Sequence, residues 1–318
     1  MMLMDIRHLI DCKRSIQPGQ GDCPSWDHFV SAFNDSDRVK AVFTQVSAKV
    51  KHWLVLPEYS YDNNEMPAEA VLPMEGDGSE ADVIIHAFKA LLDGMTPGDS
   101  ICIDVTGMMR PHILFLLYYL KNNGISSFDM MYTEPLHYRR KEETAFASED
   151  VSEVRQVAGF EGAHLSGLGE DFLIVGVGYD HHLISHVIES KASARLIQLH
   201  SLPSLSADMY QESLLRLERV SSSSAPSIDG HQIYSSANDP FIVAAVLSET
   251  VDRLQKSGKV SNLYLSPLAT KPQAIGFGLF YLKNSFTIPM SMIFPYASRY
   301  ERETSKGVGR TWIYPIRF

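Results

Sequence analysis

Cysteine is scarce in this chain: Cys12, Cys23 and Cys102 are the only three in 318 residues. Their number is odd, their spacing wide, and no Cys-x-x-Cys occurs, which excludes a disulfide framework or a zinc knuckle. Positive charge is also short. Twenty-eight Lys and Arg face 38 Asp and Glu, a net charge of −10, which argues against a broad grip on duplex DNA but leaves room for a compact basic pocket. Long apolar runs are missing: Ile113–Leu120 is too short to span a bilayer. The amino-terminal MMLMDIRHLIDCKR is broken by Asp5 and Arg7, so it lacks the core of a signal peptide. The expectation is a cytoplasmic protein with no membrane partner. Several motifs are absent too: the Gly-x-Ser-x-Gly elbow of a hydrolase, the Gly-x-x-x-x-Gly-Lys-Ser/Thr loop of an ATPase and the full Gly-x-Gly-x-x-Gly of an NAD site. No cofactor is called.

What remains is an ordinary globular composition, 45% hydrophobic and 21% charged, long enough for two domains. A helical pattern runs from Trp26 to about Val50, then a strand pattern over His52–Glu58 and an exposed loop over Asp62–Ser79. A helix over Asp82–Leu92, a strand over Ser100–Val105, a helix opened by Pro111 and closed by Gly124, and a strand over Phe128–Tyr132 follow. Residues 139–170 are polar and read as a linker. Beyond them, strands at Asp171–Val177, Ala194–His200, Asn262–Leu265, Ile288–Phe294 and Trp312–Ile316 alternate with four helices. Alternation of this kind predicts wound α/β sheets, mostly parallel.

One internal comparison organises the chain. SICIDVTGMMRPHILFLLYYLKN from Ser100 and SNLYLSPLATKPQAIGFGLFYLKN from Ser261 share a buried strand, a short loop, a basic residue before proline, and a helix ending in Tyr-Leu-Lys-Asn. Arg110-Pro111 corresponds to Lys271-Pro272. The pattern predicts two tandem Rossmann-like units related by duplication, 1–165 and 166–318. A shared strand–turn–helix grammar without common descent is the plain alternative.

Ligands of wound sheets bind beyond the carboxyl ends of the strands, where helix amino termini favour anions. Thr106–Arg110 and Ser266–Lys271 lie there. Thr106 and Thr270 offer hydroxyls, Arg110 and Lys271 charge, and Gly107 a close backbone approach. A phosphate would suit this set; a helix cap with a surface cation would produce the same residues.

Asp104-Val105-Thr106-Gly107-x-x-Arg110 before a helix, with Leu268-Ala269-Thr270-Lys271 before another, resembles the signature loop of the CRISPR-associated Rossmann fold (CARF) sensor domains. That loop reads Thr-Gly-Gly-Thr-Lys after a polar residue, and SAVED domains look like fused pairs of such units. The match covers about six residues per half. Met108-Met109 stand where Gly-Thr is expected, and Leu268-Ala269 where Gly-Gly is. The resemblance implies a cytoplasmic nucleotide sensor in defence or signalling, binding a cyclic oligonucleotide across a pseudo-two-fold cleft between the two loops. With no nuclease fused, a partner protein would read the bound state.

Other candidates cluster at strand ends. In Val175–His182 two glycines precede a helix, so Gly178 and Asp180 join the ligand-binding set, and His181 or His182 is the candidate for acid–base catalysis. His182 and His186 have a chelating spacing but no zincin glutamate, and no metal is called. Tyr138 and Arg299 could stack on a base and hold a phosphate. The tail Thr304–Trp312, with glycines between Lys306 and Arg310, fits a mobile anion-binding flap or a plain hairpin loop. The alternative functions are an interaction or scaffold subunit, and an enzyme acting on a nucleotide or phosphorylated small molecule.

Overall fold

The computed structural model describes residues 12–20, 23–67, 71–72, 78–138, 151–166, 169–206, 209–221, 231–256, 258, 260–285, 288–297, 300–302 and 305–318. In chain order the elements are β1 (Arg14–Ile16), β2 (Ser25–Ala32), α1 (Asp37–Gln45), β3 (Ser47–Leu54), a 3-10 turn (Pro57–Tyr59), α2 (Glu80–Gly94), β4 (Ile101–Asp104), α3 (Arg110–Asn122) and β5 (Ser127–Tyr138). Then come β6 (Val151–Gln156), β7 (Glu170–Gly176), α4 (His181–Ser190), β8 (Arg195–Ser201), α5 (Met209–Ser221) and β9 (His231–Ser235). The chain closes with α6 (Pro240–Lys256), β10 (Val260–Pro267), α7 (Lys271–Asn284), β11 (Met290–Ala297) and β12 (Ser305–Arg317).

The strands form two six-stranded sheets, ordered β1-β12-β5-β4-β2-β3 and β6-β11-β10-β7-β8-β9. Within the first, β3, β2, β4 and β5 run parallel, and β12 and β1 add antiparallel partners. Within the second, β9, β8, β7, β10 and β11 run parallel and β6 closes the edge antiparallel. Beside β3, where the second sheet has β9, the first has a single parallel bridge between Trp53 and Val71. In each sheet the winding reverses between two central strands, β2 and β4 in one, β7 and β10 in the other. The α/β class and the mostly parallel sheets agree with the sequence reading.

Central strands of such sheets are covered on both faces and therefore read as unbroken apolar runs. Phe172-Leu173-Ile174-Val175 in β7 and Ile101-Cys102-Ile103 in β4 are all buried. α1 covers one face of the first sheet: its Val42, and Val46 just beyond its end, pack with Trp26, Phe29, Cys102, Met131 and Ile313. The ring of Phe43 stacks on Trp53. α3 starts as Arg-Pro, the favoured placement of proline in the first turn, and buries eight residues including Ile113, Leu114, Leu116 and Leu117.

The compact units do not follow a single cut near 165. The described residues of 11–149 join those of 299–318 in one unit, and those of 150–298 form the other. The reason is β-pairing. β6 lies in the stretch read as linker, yet its backbone pairs with β11. β12 follows β11 in sequence but pairs with β5 from Arg317–Ser127 to Ser305–Tyr138. The expected helix from Trp26 is also corrected: its first part is β2, a strand buried on both faces whose dense apolar content mimics a helix. β1 and β9 were likewise not anticipated. The flap reading of Thr304–Trp312 is overturned, because residues from Ser305 onward belong to the β12 ladder. Gly309 sits at a bulge where a Cβ would come 2.6 Å from the Glu134 carbonyl oxygen, and the Trp312 indole donates to Glu134 at 2.7 Å.

Candidate functional site

The carboxyl end of β4 is built around Asp104, which is wholly buried. One carboxylate oxygen accepts the Ser31 hydroxyl at 2.8 Å; the other accepts the Thr106 N–H at 2.9 Å and the Thr106 hydroxyl at 2.5 Å. The Thr106 oxygen in turn accepts the Thr133 N–H at 2.9 Å. Asp104 thus ties the end of β4 to β2 through Ser31, and the Thr106 hydroxyl ties it to β5 through Thr133. The hydroxyl's single proton goes to Asp104, so Thr106 has none to give a phosphate.

Gly107 follows. A Cβ there would lie 2.0 Å from the Ala32 carbonyl oxygen. The missing side chain is used to bring this loop against the end of β2, across the point where the winding reverses. The Gly107 carbonyl accepts the Tyr59 hydroxyl at 2.8 Å. Burial pushes the Tyr59 phenol up to about 12, which keeps it a neutral donor.

Two cations act on that phenol, Arg38 and Arg110. Arg38 is buried and donates to the Thr133 carbonyl at 2.6 Å. Arg110 is half-buried and opens α3. The residue before it, Met109, has the extended backbone of an N-cap but supplies no side-chain acceptor, and Pro111 has no N–H. The first turn of α3 therefore has no side-chain cap, and Arg110 adds positive charge to the helix dipole there. Next comes His112, 1% exposed, with its Nε2 3.3 Å from a Glu58 oxygen.

The second unit repeats the layout with other chemistry. Thr270 is the N-cap of α7 and Gln273 its reciprocal partner, a capping box. The Thr270 oxygen accepts the Gln273 N–H at 3.3 Å, and Gln273 Oε1 accepts the Thr270 N–H at 3.2 Å. The Thr270 proton goes to the Ala237 carbonyl at 2.5 Å. Lys271 stands half-buried at the first helical position. Gly178, like Gly107, serves packing: a Cβ would lie 2.3 Å from the Leu268 carbonyl oxygen. Asp180 caps α4, accepting the Leu183 N–H at 3.3 Å. His181 is half-buried and His182 exposed, their ring centroids 4.1 Å apart.

Within the first unit the structure brings Thr106, Gly107 and Arg110 to one strand end; within the second it brings Thr270, Lys271 and Gly178 together, Gly178 through the Leu268 backbone. The two threonines are not counterparts, since Met109 and Thr270 occupy the matching N-cap positions. Tyr138 ends β5, but its side chain, like all of Arg299, lies outside the described residues. Sequence reasoning missed Arg38, Glu58, Tyr59 and His112. The available signals were Pro57, which ends a strand and starts a turn, and the polar His112 inside an otherwise apolar helix. Among the described residues, no group of three or more His, Cys, Asp or Glu could hold a metal ion, and no helix is long and apolar enough to cross a membrane. Comparison with protein-family models and with curated proteins finds no match.

Proposed function

We propose that this protein is a nucleotide sensor whose anionic ligand binds at the carboxyl edge of the first sheet, with a partner protein reading the bound state. The observation that carries this reading is the start of α3. It lies at the end of β4, beside the reversal point of a wound sheet, where ligands of this architecture bind. It has no side-chain cap, and Arg110 stands at its first residue. An anion is the natural complement of a helix amino terminus that carries guanidinium charge.

The shared strand order of the two sheets and the matched Arg110-Pro111 and Lys271-Pro272 starts support descent by duplication. The loop's likeness to CRISPR-associated Rossmann fold sensors puts cyclic oligonucleotides first among the ligands to try, in a prokaryotic defence or signalling setting. On this reading Lys271 contributes charge only if both loops share one ligand.

The test is thermal shift and calorimetry with mono-, di- and cyclic nucleotides. At a hundredfold excess over Kd, a ligand specific to the native state stabilises it by about 2.7 kcal/mol. Arg110→Ala is expected to abolish the shift. Loss of the shift in Lys271→Ala as well means that both loops hold the ligand. Wild-type protein that responds to no nucleotide and to no pyrophosphate ends this reading.

A further inference from the structure

The stretch after β3 crosses the carboxyl edge of the first sheet, and its inner and outer sides are held in different ways. On the inner side Tyr59 donates to the Gly107 carbonyl, in the loop after β4, at 2.8 Å. Asn34, in the loop after β2, reaches the same hydroxyl at 3.5 Å. β2 and β4 are the strands between which the winding reverses. Tyr59, 7% exposed, therefore lies across the crevice where ligands of such sheets bind. Beside it, Glu58 sets a carboxylate oxygen 3.3 Å from Nε2 of His112, the third residue of α3. The first turn of that helix thus already faces a negative charge supplied by the chain itself.

The inner contacts are poorly satisfied. Glu58 Oε2 and both ring nitrogens of His112 are buried without a hydrogen-bond partner. Unmet buried polar atoms weigh against this arrangement, so something else must hold it. The hold is on the outer side. Arg302, on the return from β11 to β12, commits all three guanidinium nitrogens to this one stretch. Nε donates to the Tyr59 carbonyl at 2.7 Å, Nη1 to Glu65 at 2.9 Å, and Nη2 to the Ser60 carbonyl. The guanidinium carbon also lies 4.1 Å from the centre of the Tyr61 ring. Between these anchors Ser60 takes a left-handed backbone, φ 48°, a conformation that persists where its neighbours enforce it. Asp62–Glu65 are exposed, so little apolar burial secures the outer half.

We propose that residues 57–65 are an autoinhibitory strap, with Arg302 as its latch. In the closed state Glu58 holds the place of an anion at the first turn of α3, and Tyr59 covers the crevice. An arriving anion displaces Glu58, and the strap lifts away from Gly107. This rests on the anion site proposed above and adds its regulation.

The test pairs calorimetry with hydrogen exchange, using pyrophosphate as the probe. Arg302→Ala removes hydrogen bonds from a charged donor, enough to favour opening by about tenfold. A closed majority lowers apparent affinity by the open fraction, so this variant is expected to bind pyrophosphate about tenfold tighter than the wild type. Glu58→Gln removes the internal charge and is expected to bind more tightly too. In the wild-type protein, pyrophosphate should speed exchange of the 57–65 amides. A clasp that only supports the fold predicts the opposite sign. Equal or weaker binding by Arg302→Ala overturns the strap and leaves the anion site standing; so does wild-type exchange that is unchanged or slowed by bound pyrophosphate. Should Arg302→Ala not fold, Glu58→Gln and the wild-type exchange decide. No binding of pyrophosphate or of any nucleotide by the wild-type protein removes both readings together.

Discussion

α3 and α7 begin in matching places and are finished in opposite ways. Each starts with a cation and a proline after the fourth strand of its parallel run, counting the Val71 bridge as the third in the first unit. At α7 the residue before the cation is Thr270 and the third helical residue is Gln273, so the helix closes its own first turn. At α3 those positions hold Met109 and His112; no side chain caps the helix, and the third residue turns to Glu58 instead. The difference teaches that a shared backbone plan does not fix which end is chemically available. Two residues, at the cap and three positions on, decide whether a helix start is closed by its own side chains.

The largest effect that would sharpen this comparison is at the glycines. In one unit Gly107 carries the close contact between the first and fourth strand ends; in the other Gly178 carries it from the opposite side. Alanine at either site drives a Cβ into a backbone carbonyl, and each change is expected to cost about 3 kcal/mol in urea unfolding. A loss well below about 1 kcal/mol at either position would show that its strand ends are not tightly apposed.

The caps come next. Thr270→Ala removes the α7 box and should lower stability by about 1 kcal/mol without touching the nucleotide response. Met109→Thr gives α3 the cap that α7 has, with a hydroxyl placed to accept the His112 N–H. It should weaken ligand binding in calorimetry, and unchanged affinity would break the contrast between the helix starts.

The smallest effect is the response to pH, where the units should agree. Burial lowers the affinity of His52 and His200 for protons, with His28 adding repulsion at His52. The unfolded chain takes up protons near the ordinary value of 6.5, whereas the folded protein resists them. Stability is therefore highest above that pH and declines below it. Urea midpoints should fall between about pH 7.5 and about pH 5.5, and His52→Gln and His200→Gln should each flatten part of that slope.

The repeating frame was legible because parallel central strands and proline-started helices leave strong local marks. β4, α3, β7, α4, β10 and α7 all lie within two residues of their expected ends or close to them. β6 and β9 escaped because a short edge strand such as Val151–Gln156, half of it exposed, has no dense apolar run. The candidate site was legible only in part. Its strand-end location and Arg110 follow from motif and spacing. The use of Thr106 and Gly107 for internal closure depends on neighbours in β2 and β5 far away in sequence, as does the pairing of Glu58 with His112. Local pattern carries no record of such partners.

The crossing of β12 back to β5 has a bearing on how the molecule is made. A ribosome releases β5 well before its long antiparallel mate, and the whole of the other sheet is synthesised in between. The later unit can therefore reach its final pairing first, while the earlier one waits with an open edge for the last stretch of the chain. Assembly order would then run against synthesis order, and shortening the chain from its carboxyl end would harm the unit that begins it.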